Sequence, residues 1–506
     1  MYLNLKTHSS LLIALLAGSL LPLAFAPHHI WFLGLLSPTI LLFLWNSASP
    51  KSALQLGFGF GLGLFGMGVS WVYISIHDYG NTEAPLAVFI TTLFVLILSL
   101  YPALQGYVLK KMYKQPNAAL WLVGFPSSWV LFEWLRGWLF SGFPWLYLGY
   151  TQIDTPLGNY APLLSVYGIS WIIGIHAGCI LSLIYGKGRI KTLAIVLLVL
   201  LWGVGYILKA HGWTTATGPL QTVSLVQGNV DPLHKFAQSD PIEATEALYG
   251  ALTEKAWGKN LIVWPENAVP IPLPYANHYL DKLNEKAKQS NSTLITGIQQ
   301  IVQDNEYYNS IIAVGLGSGI YHKRHLVPFG EFLPFDRWLR GLIHFFDIPM
   351  SNFTEGPPNQ PLLHAFALTI TPLICYEIAY PELVRSAVSK AELMVNISED
   401  GWFGKSWGPH QHLEIARMRA KETGRPLLRA TTSGISAIID DRGNIIARSP
   451  QFEALVLSGT IQGTTGDTPW VRFGLWPLLS TLLGIFMLGV YINSSAHRYV
   501  SNSKCQ

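Results

Sequence analysis

Charge is scarce in this chain. Of 506 residues, 12% are Asp, Glu, Lys or Arg and 50% are hydrophobic, whereas ordinary soluble domains carry about 25% charged residues. That balance excludes a disordered chain, a fibrous repeat and a wholly cytosolic enzyme. Cysteine is equally sparse: Cys179 sits in an apolar stretch, Cys505 in the terminal tail and Cys375 in a mixed region. Thiols so dispersed exclude a disulfide framework and leave Cys375 to be explained as a free thiol. The net charge of +4 includes no basic run, which excludes a nucleic-acid partner. Among 15 histidines the one metal-like spacing is His410-Gln411-His412. It is expected to face the surface or a substrate rather than zinc, so neither a metal nor a cofactor is expected.

What charge there is lies unevenly. Residues 1–210 hold 10 Lys and Arg and 4 Asp and Glu, whereas residues 211–506 hold 23 and 25. The first part is expected to be a membrane bundle and most of the second a globular domain. Apolar runs suited to membrane helices occur near 10–26, 30–46, 53–76, 85–109, 119–140, 162–185 and 192–208, and an eighth runs from Phe473 to Ile492. The connecting segments alternate in basic charge. Lys6, Lys51, the group Lys110, Lys111 and Lys114, and the group Lys187, Arg189 and Lys191 mark one side; the segments after the first, third and fifth runs carry neither Lys nor Arg. By the positive-inside rule both termini are cytoplasmic and residues 211–470 lie on the outer side, with Lys209 as a mild exception. Lys6, the first run and Ala24-Phe25-Ala26 also fit a signal peptide, whose removal leaves that orientation unchanged.

Two features of the apolar part invite functional readings. Gly57, Gly59, Gly61, Gly63, Gly66 and Gly68 are expected to form a helix packing face rather than a phosphate loop, because no Lys-Ser/Thr follows. Glu133 and Arg136 are three apart and share a helix face. A structural ion pair and a functional intramembrane charge are both open readings of them.

Beyond Gln221 the pattern changes. Short β-branched runs such as TVSLVQGN at 222–229, LIVWPEN at 261–267, LTITPLICYE at 368–377 and AELMVNIS at 391–398 alternate with helical stretches at 241–257 and 277–290. This predicts an α/β domain over 211–470, between a seven-span bundle at 1–210 and an eighth helix with its tail at 471–506. Glu266, Lys323 and Cys375 each follow a strand-like run without an evident packing role. Open α/β sheets collect their chemistry at strand carboxyl ends, so these three residues are expected to converge.

WPEN at 264–267, YHKRHLVPFGEFLP at 321–334 and ICYE at 374–377 resemble the Glu, Lys and Cys motifs of the nitrilase superfamily. VPFGE, NISEDGWFG at 396–404 and ARMRAKETGRPLLRATTSGISAII at 416–439 are similar to its membrane-bound branch, the bacterial apolipoprotein N-acyltransferases. VQGNV at 226–230 and FEWLRGWLFSGFPWL at 132–146 extend the resemblance over nearly the whole chain. It implies an eight-span bundle with a nitrilase-like αββα sandwich on the outer face of the inner membrane. It also implies transfer of a phospholipid acyl chain to the amino-terminal diacylglyceryl-cysteine of an apolipoprotein. The implied catalytic triad is Glu266, Lys323 and Cys375; Glu331 and Glu377 match further acidic positions, and Tyr376 the residue after the nucleophile. Phe236, Glu399, Trp402 and His410 fall where the substrate site would be lined. At Phe236, Glu399 and His410 this sequence departs from the Trp, Asn and Trp found in the family.

The residue types suit acyl transfer. A thiolate is a better nucleophile than water or an amine, once its pKa of about 8.5 is lowered or a base takes its proton in place. A helix start near Pro381 and the Lys323 charge are expected to favour thiolate, and Glu266, screened by Trp264 and Pro265, is the expected base. Lys323 and the Tyr376 backbone N–H are the expected oxyanion donors, with Glu331 and Glu377 bonded to Lys323 or Glu266. The apolar spacing of Trp338-Leu339, Leu342-Ile343 and Phe345-Phe346 suggests an arm dipping into the outer leaflet, with ordinary core as the other reading. Two rivals stand beside the transferase. One is a membrane-tethered amidase or nitrilase-type hydrolase that uses water as second nucleophile. The other is a transporter resting on Glu133 and Arg136, with 211–470 as an accessory domain.

Overall fold

The computed structural model describes residues 7–231, 240–301, 307–332 and 353–502. Phe236 and the aromatic stretch at 338–346 lie outside the described residues. The chain forms two compact units: Met1–Tyr73, Ala84–His211 and Phe473–Gln506 make the first, Ile74–Glu83 and Gly212–Arg472 the second.

The second unit is built on fourteen strands: β1 Thr215–Gln227, β2 Leu261–Val263, β3 Val269–Pro272, β4 Thr293–Ile301, β5 Tyr307–Gly315, β6 Gly317–Ser318, β7 Ile320–His322, β8 Leu363–Ala365, β9 Leu368–Ile374, β10 Leu393–Ser398, β11 Leu427–Thr431, β12 Ala437–Ile439, β13 Ile445–Arg448 and β14 Leu455–Thr465. They form two seven-stranded sheets, one in the order β14-β1-β2-β4-β5-β7 with β3 beside β4, the other β13-β12-β11-β10-β9-β8-β6. At the centre of the first sheet β1, β2 and β4 run parallel; in the second, β9, β10 and β11 do.

Side chains alternate across each strand, and the alternation assigns the layers. Leu225, Val263, Ile295 and Ile311 of the first sheet share a buried core with Ile370, Val395, Ile397 and Leu428 of the second. The opposite face of the first sheet, with Ile262, Trp264, Leu294 and Ile298, packs on Tyr279, Leu280 and Leu283 of the helix Leu273–Gln289. On β10 and β11 the residues out of phase with the core are Met394, Asn396, Ser398, Leu427, Arg429 and Thr431, all buried.

The first unit is helical. Ala84–Met112, Pro156–Tyr185, Arg189–Leu208 and Trp476–Ser495 are each long and apolar enough to cross a membrane, and Pro50–Gly68 with Val72–Tyr79 makes a fifth if the pair, bent by 58°, is one span. The expected first and second runs fold as the shorter helices His8–Ala24 and Leu33–Asn46, and the fifth as a π-helical segment Leu120–Gly124 continued by Phe125–Arg136. The 14 residues of Leu33–Asn46 rise about 21 Å, less than the roughly 30 Å hydrocarbon core.

The glycine stripe packs helices. A methyl group at Gly57 would lie 2.2 Å from the Pro102 carbonyl oxygen, and one at Gly63 would lie 2.2 Å from that of Leu15, so helices approach on both sides. Lys110, expected in a connecting segment, is instead buried within its helix, where its ammonium donates to the Asn46 carbonyl at 2.9 Å. Glu133 and Arg136 do not neutralise each other by direct pairing. Glu133 Oε1 accepts from the Leu148 N–H at 2.7 Å and from Trp129 Nε1 at 2.9 Å. Arg136 donates to the carbonyls of Phe143, at 2.9 Å, and Trp145. Both side chains therefore anchor the irregular segment 143–148, where backbone groups would otherwise go unsatisfied.

The packing role of the glycines sets a measurable contrast. Gly57→Leu should lower the thermal midpoint of the detergent-solubilised protein by an amount equivalent to about 1–3 kcal/mol. Gly203→Leu, where an added Cβ meets nothing within 4 Å, should leave it unchanged; equal effects of the two would contradict the packing account.

Candidate active site

Three polar side chains sit just past strand ends of the second unit. Glu266 follows β2, Lys323 follows β7 and Cys375 follows β9. The structure brings all three together in a buried cluster.

Lys323 is the centre of the charge. Its Nζ lies 2.8 Å from Glu331 Oε1 and 3.5 Å from Glu266 Oε1. Burial opposes its charge, but Glu331, Glu266 and the neighbouring Cys375 together hold the ammonium above its ordinary pKa. Lys323 is thus a fixed cation. Its backbone is pinned as well: the Lys323 N–H donates to the Asn309 carbonyl at 2.8 Å, and the Lys323 carbonyl accepts from Gly356 at 2.8 Å.

Glu266 is held on both oxygens. Oε1 accepts from Asn309 Nδ2 at 2.7 Å, and Oε2 from the Glu399 N–H at 2.8 Å. The same Asn309 amide also donates to Glu331 Oε1 at 2.9 Å. Trp264 beside it is fully buried, as the screening of Glu266 requires. The Glu266 segment lies directly on β4, where a methyl group at Gly297 would come within 2.7 Å of Glu266 Cα.

Cys375 occupies a tight elbow. It sits in the left-handed region at φ 51°, an uncommon conformation for a residue with a Cβ, and opens the 3-10 turn Cys375–Ala379. Burial and then the Glu266 charge push its thiol well above the ordinary value, against the opposing pull of Lys323. Lys323 favours the thiolate, as expected, but burial and the Glu266 charge outweigh it.

The two acidic neighbours divide. Glu331 bonds Lys323 as expected and also accepts from the Val327 N–H at 2.9 Å. Glu377 bonds neither Lys323 nor Glu266. It accepts from Ile374 N–H at 2.8 Å, Arg324 N–H at 2.7 Å and Tyr321 hydroxyl at 2.8 Å. It thereby ties the Cys375 elbow to the segment that carries Lys323. Tyr376 stacks edge-on with Tyr380 at 5.1 Å between ring centroids.

The expected lining residues differ among themselves. Glu399 is buried and meets Glu266 through its backbone. Trp402 is half-buried in the turn Asp400–Phe403; its carbonyl accepts from Ser75 Oγ at 2.8 Å and its ring lies edge-on to Tyr79 at 5.8 Å. His410 is half-buried at the start of the helix Gly408–Thr423. His412 does not face the surface: it is fully buried, with Nδ1 3.0 Å from Asp400 Oδ1.

Several residues were not foreseen. Asn309 offered one signal, a carboxamide inside an otherwise apolar strand. Ser75 and Tyr79 offered none, because Ile74–Glu83 is flanked in sequence by helices of the first unit and yet belongs to the second.

Comparison with known families agrees with this arrangement. Residues 222–469 match the carbon-nitrogen hydrolase family, and residues 17–179 match the apolipoprotein N-acyltransferase N-terminal domain. The chain is 42% identical over 484 residues to the apolipoprotein N-acyltransferase of Coxiella burnetii, covering 95% of this chain and 99% of that one. It is 42% identical over 486 residues to that of Azotobacter vinelandii, covering 94% of each. With that of Vibrio cholerae it shares 40% identity over 478 residues, covering 92% of this chain and 94% of the relative. The membrane-type helices, the two-sheet sandwich and these relatives lead to one conclusion: the chain belongs to the apolipoprotein N-acyltransferase family.

Proposed function

We propose that this acyltransferase moves an acyl chain from a phospholipid, through a thioester on Cys375, to the amino-terminal amine of a diacylated apolipoprotein. The observation that carries the reading is the buried Cys375 gathered with the clamped Glu266 side chain and the Lys323 ammonium. Glu266 takes the thiol proton as the sulfur attacks the ester carbonyl. The tetrahedral oxyanion is held by Lys323 Nζ and the Tyr376 backbone N–H. Collapse expels the lysophospholipid alkoxide, which receives the proton from Glu266, and leaves the acyl thioester.

The second half reverses the proton traffic. The acceptor amine attacks the thioester and its proton passes to Glu266. Collapse forms the amide and releases a thiolate that recovers the proton. Because an amide is more stable than a thioester, the second half draws the first forward without a coupled energy source. Glu331, Asn309 and Glu377 orient the reacting groups rather than react. Phe236, Glu399, Trp402 and His410 are proposed to line the substrate site.

The location proposed is the inner membrane, with eight spans, both termini cytoplasmic and 211–470 periplasmic. The alternating Lys and Arg of the connecting segments support it. Both substrates are then anchored in the same bilayer as the enzyme, and that confinement supplies proximity that a free enzyme would have to obtain by binding. A hydrolase using the same three residues is the second reading.

Three measurements test the scheme. Incubation with labelled phospholipid and a diacylated lipopeptide should give label in a base-stable amide; free fatty acid as the main product would favour the hydrolase. Lys323→Ala should lower kcat about 100-fold or more, as removal of one oxyanion donor does elsewhere; a loss below about threefold would remove Lys323 from the oxyanion site. Gly297→Ala should cut kcat while sparing KM, because the added methyl displaces Glu266.

A further inference from the structure

Glu266 follows β2 of the first sheet, and Cys375 follows β9 of the second. Reaction between them needs their spacing to be held closely, since a misplacement of about 1 Å can cost about 100-fold in rate. One buried side chain that the mechanism above leaves unused bears on both residues. Arg429 is fully buried in the middle of β11. The parallel ladders pair Leu373 of β9 with Asn396 of β10, and Asn396 with Arg429 of β11, so the three lie side by side across the second sheet.

The guanidinium has two arms. Nη1 donates to Asn396 Oδ1, and Asn396 Nδ2 in turn donates to the carbonyls of Leu373, at 3.2 Å, and Cys375, at 3.4 Å. This arm ends on the backbone of the nucleophile, which stands at φ 51° and needs its surroundings to keep it there. Nη2 donates to Asp400 Oδ2 at 2.7 Å, while Asp400 Oδ1 accepts from Ser398 Oγ at 2.7 Å and lies 3.0 Å from His412 Nδ1. Burial disfavours the Asp400 charge, but Arg429 and then His412 outweigh it and hold the carboxyl well below its ordinary range. Asp400 opens the turn Asp400–Phe403, and the residue before it is Glu399, whose N–H clamps Glu266 Oε2 at 2.8 Å. The second arm therefore ends, one residue on, at the base.

Stability alone does not account for such a pair. A buried ion pair is often no more stabilising than apolar side chains of the same volume, because desolvation offsets the attraction. Apolar side chains, however, cannot hold polar groups of two segments at fixed distances. A planar guanidinium with its donors in a rigid fork does so, where an ammonium acts as a point charge.

We propose that Arg429 is a positioning residue for the acyl transfer, a buried fork that sets the Cys375 elbow and the Glu266 carboxylate in place relative to each other through Asn396 and Asp400. No bond or proton on the guanidinium changes during the reaction. The proposal rests on Cys375 as the nucleophile and Glu266 as its base.

Arg429→Lys tests it, because one ammonium keeps a cation opposite Asp400 but cannot engage both arms. Two rates read the effect: alkylation of Cys375 by iodoacetamide, followed by peptide mass mapping without any lipid, and thioester formation from phospholipid. In folded Arg429→Lys both should fall about tenfold or more, with KM for phospholipid within about twofold of the wild type. Asn396→Ala, which removes the arm to the elbow, should give a similar loss. The double variant should be no slower than the slower single one, since both changes break one link. Arg425→Lys controls for the loss of a buried arginine. Arg425 donates to the carbonyls of Ala391 and Gly466, which lie outside this network, so its replacement should lower the melting midpoint and leave both rates unchanged. Folded Arg429→Lys protein with wild-type rates would overturn the proposal, as would losses that multiply in the double variant or an equal loss in Arg425→Lys. If Arg429→Lys does not fold, Asp400→Asn keeps the shape and weakens the second arm alone, and wild-type rates in that variant overturn the proposal equally. A wild-type protein that forms no thioester, while the alkylation losses appear as stated, would sink the acyl-transfer reading and leave the positioning role standing.

Discussion

A single buried ammonium fixes the geometry at this end of the sandwich. Taking Lys323 out of water costs several kcal/mol unless opposite charge and hydrogen bonds surround it. Glu331 at 2.8 Å and Glu266 at 3.5 Å supply the charge, and Asn309 bridges the two carboxylates. None of these groups can drift without exposing another to an unpaired charge in a low-dielectric setting. The consequence is that the Glu266 side chain and the Lys323 ammonium are held in place by their neighbours. Burial and the Glu266 charge push the Cys375 thiol up, against the pull of Lys323.

The remaining constraints act on the sulfur and the segments that carry it. Glu377 ties the Cys375 elbow to the Arg324 backbone, and the Glu399 N–H fixes the far oxygen of Glu266. Strands from both sheets thus contribute to one site: β2 and β7 from the first, β9 and β10 from the second. That is the use of two stacked sheets here. Polar groups on adjoining strand ends can be crowded together while the shared apolar core holds the sheets in register.

The central residues were legible because their local sequence is loud. Glu266, Lys323 and Cys375 each end an apolar run, and each sits in a motif long enough to be specific. The α/β character of 211–470 followed from its alternating strand and helix patterns, whereas the αββα layering was implied only by the family resemblance. What was not legible depends on pairing across the fold. Asn309 gains its place only from the β5–β7 register, which sets Ser310 opposite His322 and so brings Asn309 beside Lys323. Nothing local announces that Asp400 and His412 will be buried together with Arg429. The sign of the Cys375 shift was misjudged for the same reason: burial is a property of the whole packing, whereas Lys323 is visible in the sequence. In the helical unit, hydropathy located the apolar runs but not where they bend or end, because Glu133 and Arg136 satisfy an irregular segment that no window average detects.

Nearly all of this account depends on the Cys375 sulfur carrying the fatty chain between donor and acceptor. Intact-protein mass measurement after incubation with phospholipid alone tests it most directly. The account predicts a fatty-acyl mass increment on the wild-type protein that hydroxylamine removes and that Cys375→Ser, giving an ester at most, does not reproduce as a hydroxylamine-labile thioester. An unmodified protein that nevertheless forms acylated lipopeptide once acceptor is added would contradict a covalent intermediate and the central role assigned to that sulfur.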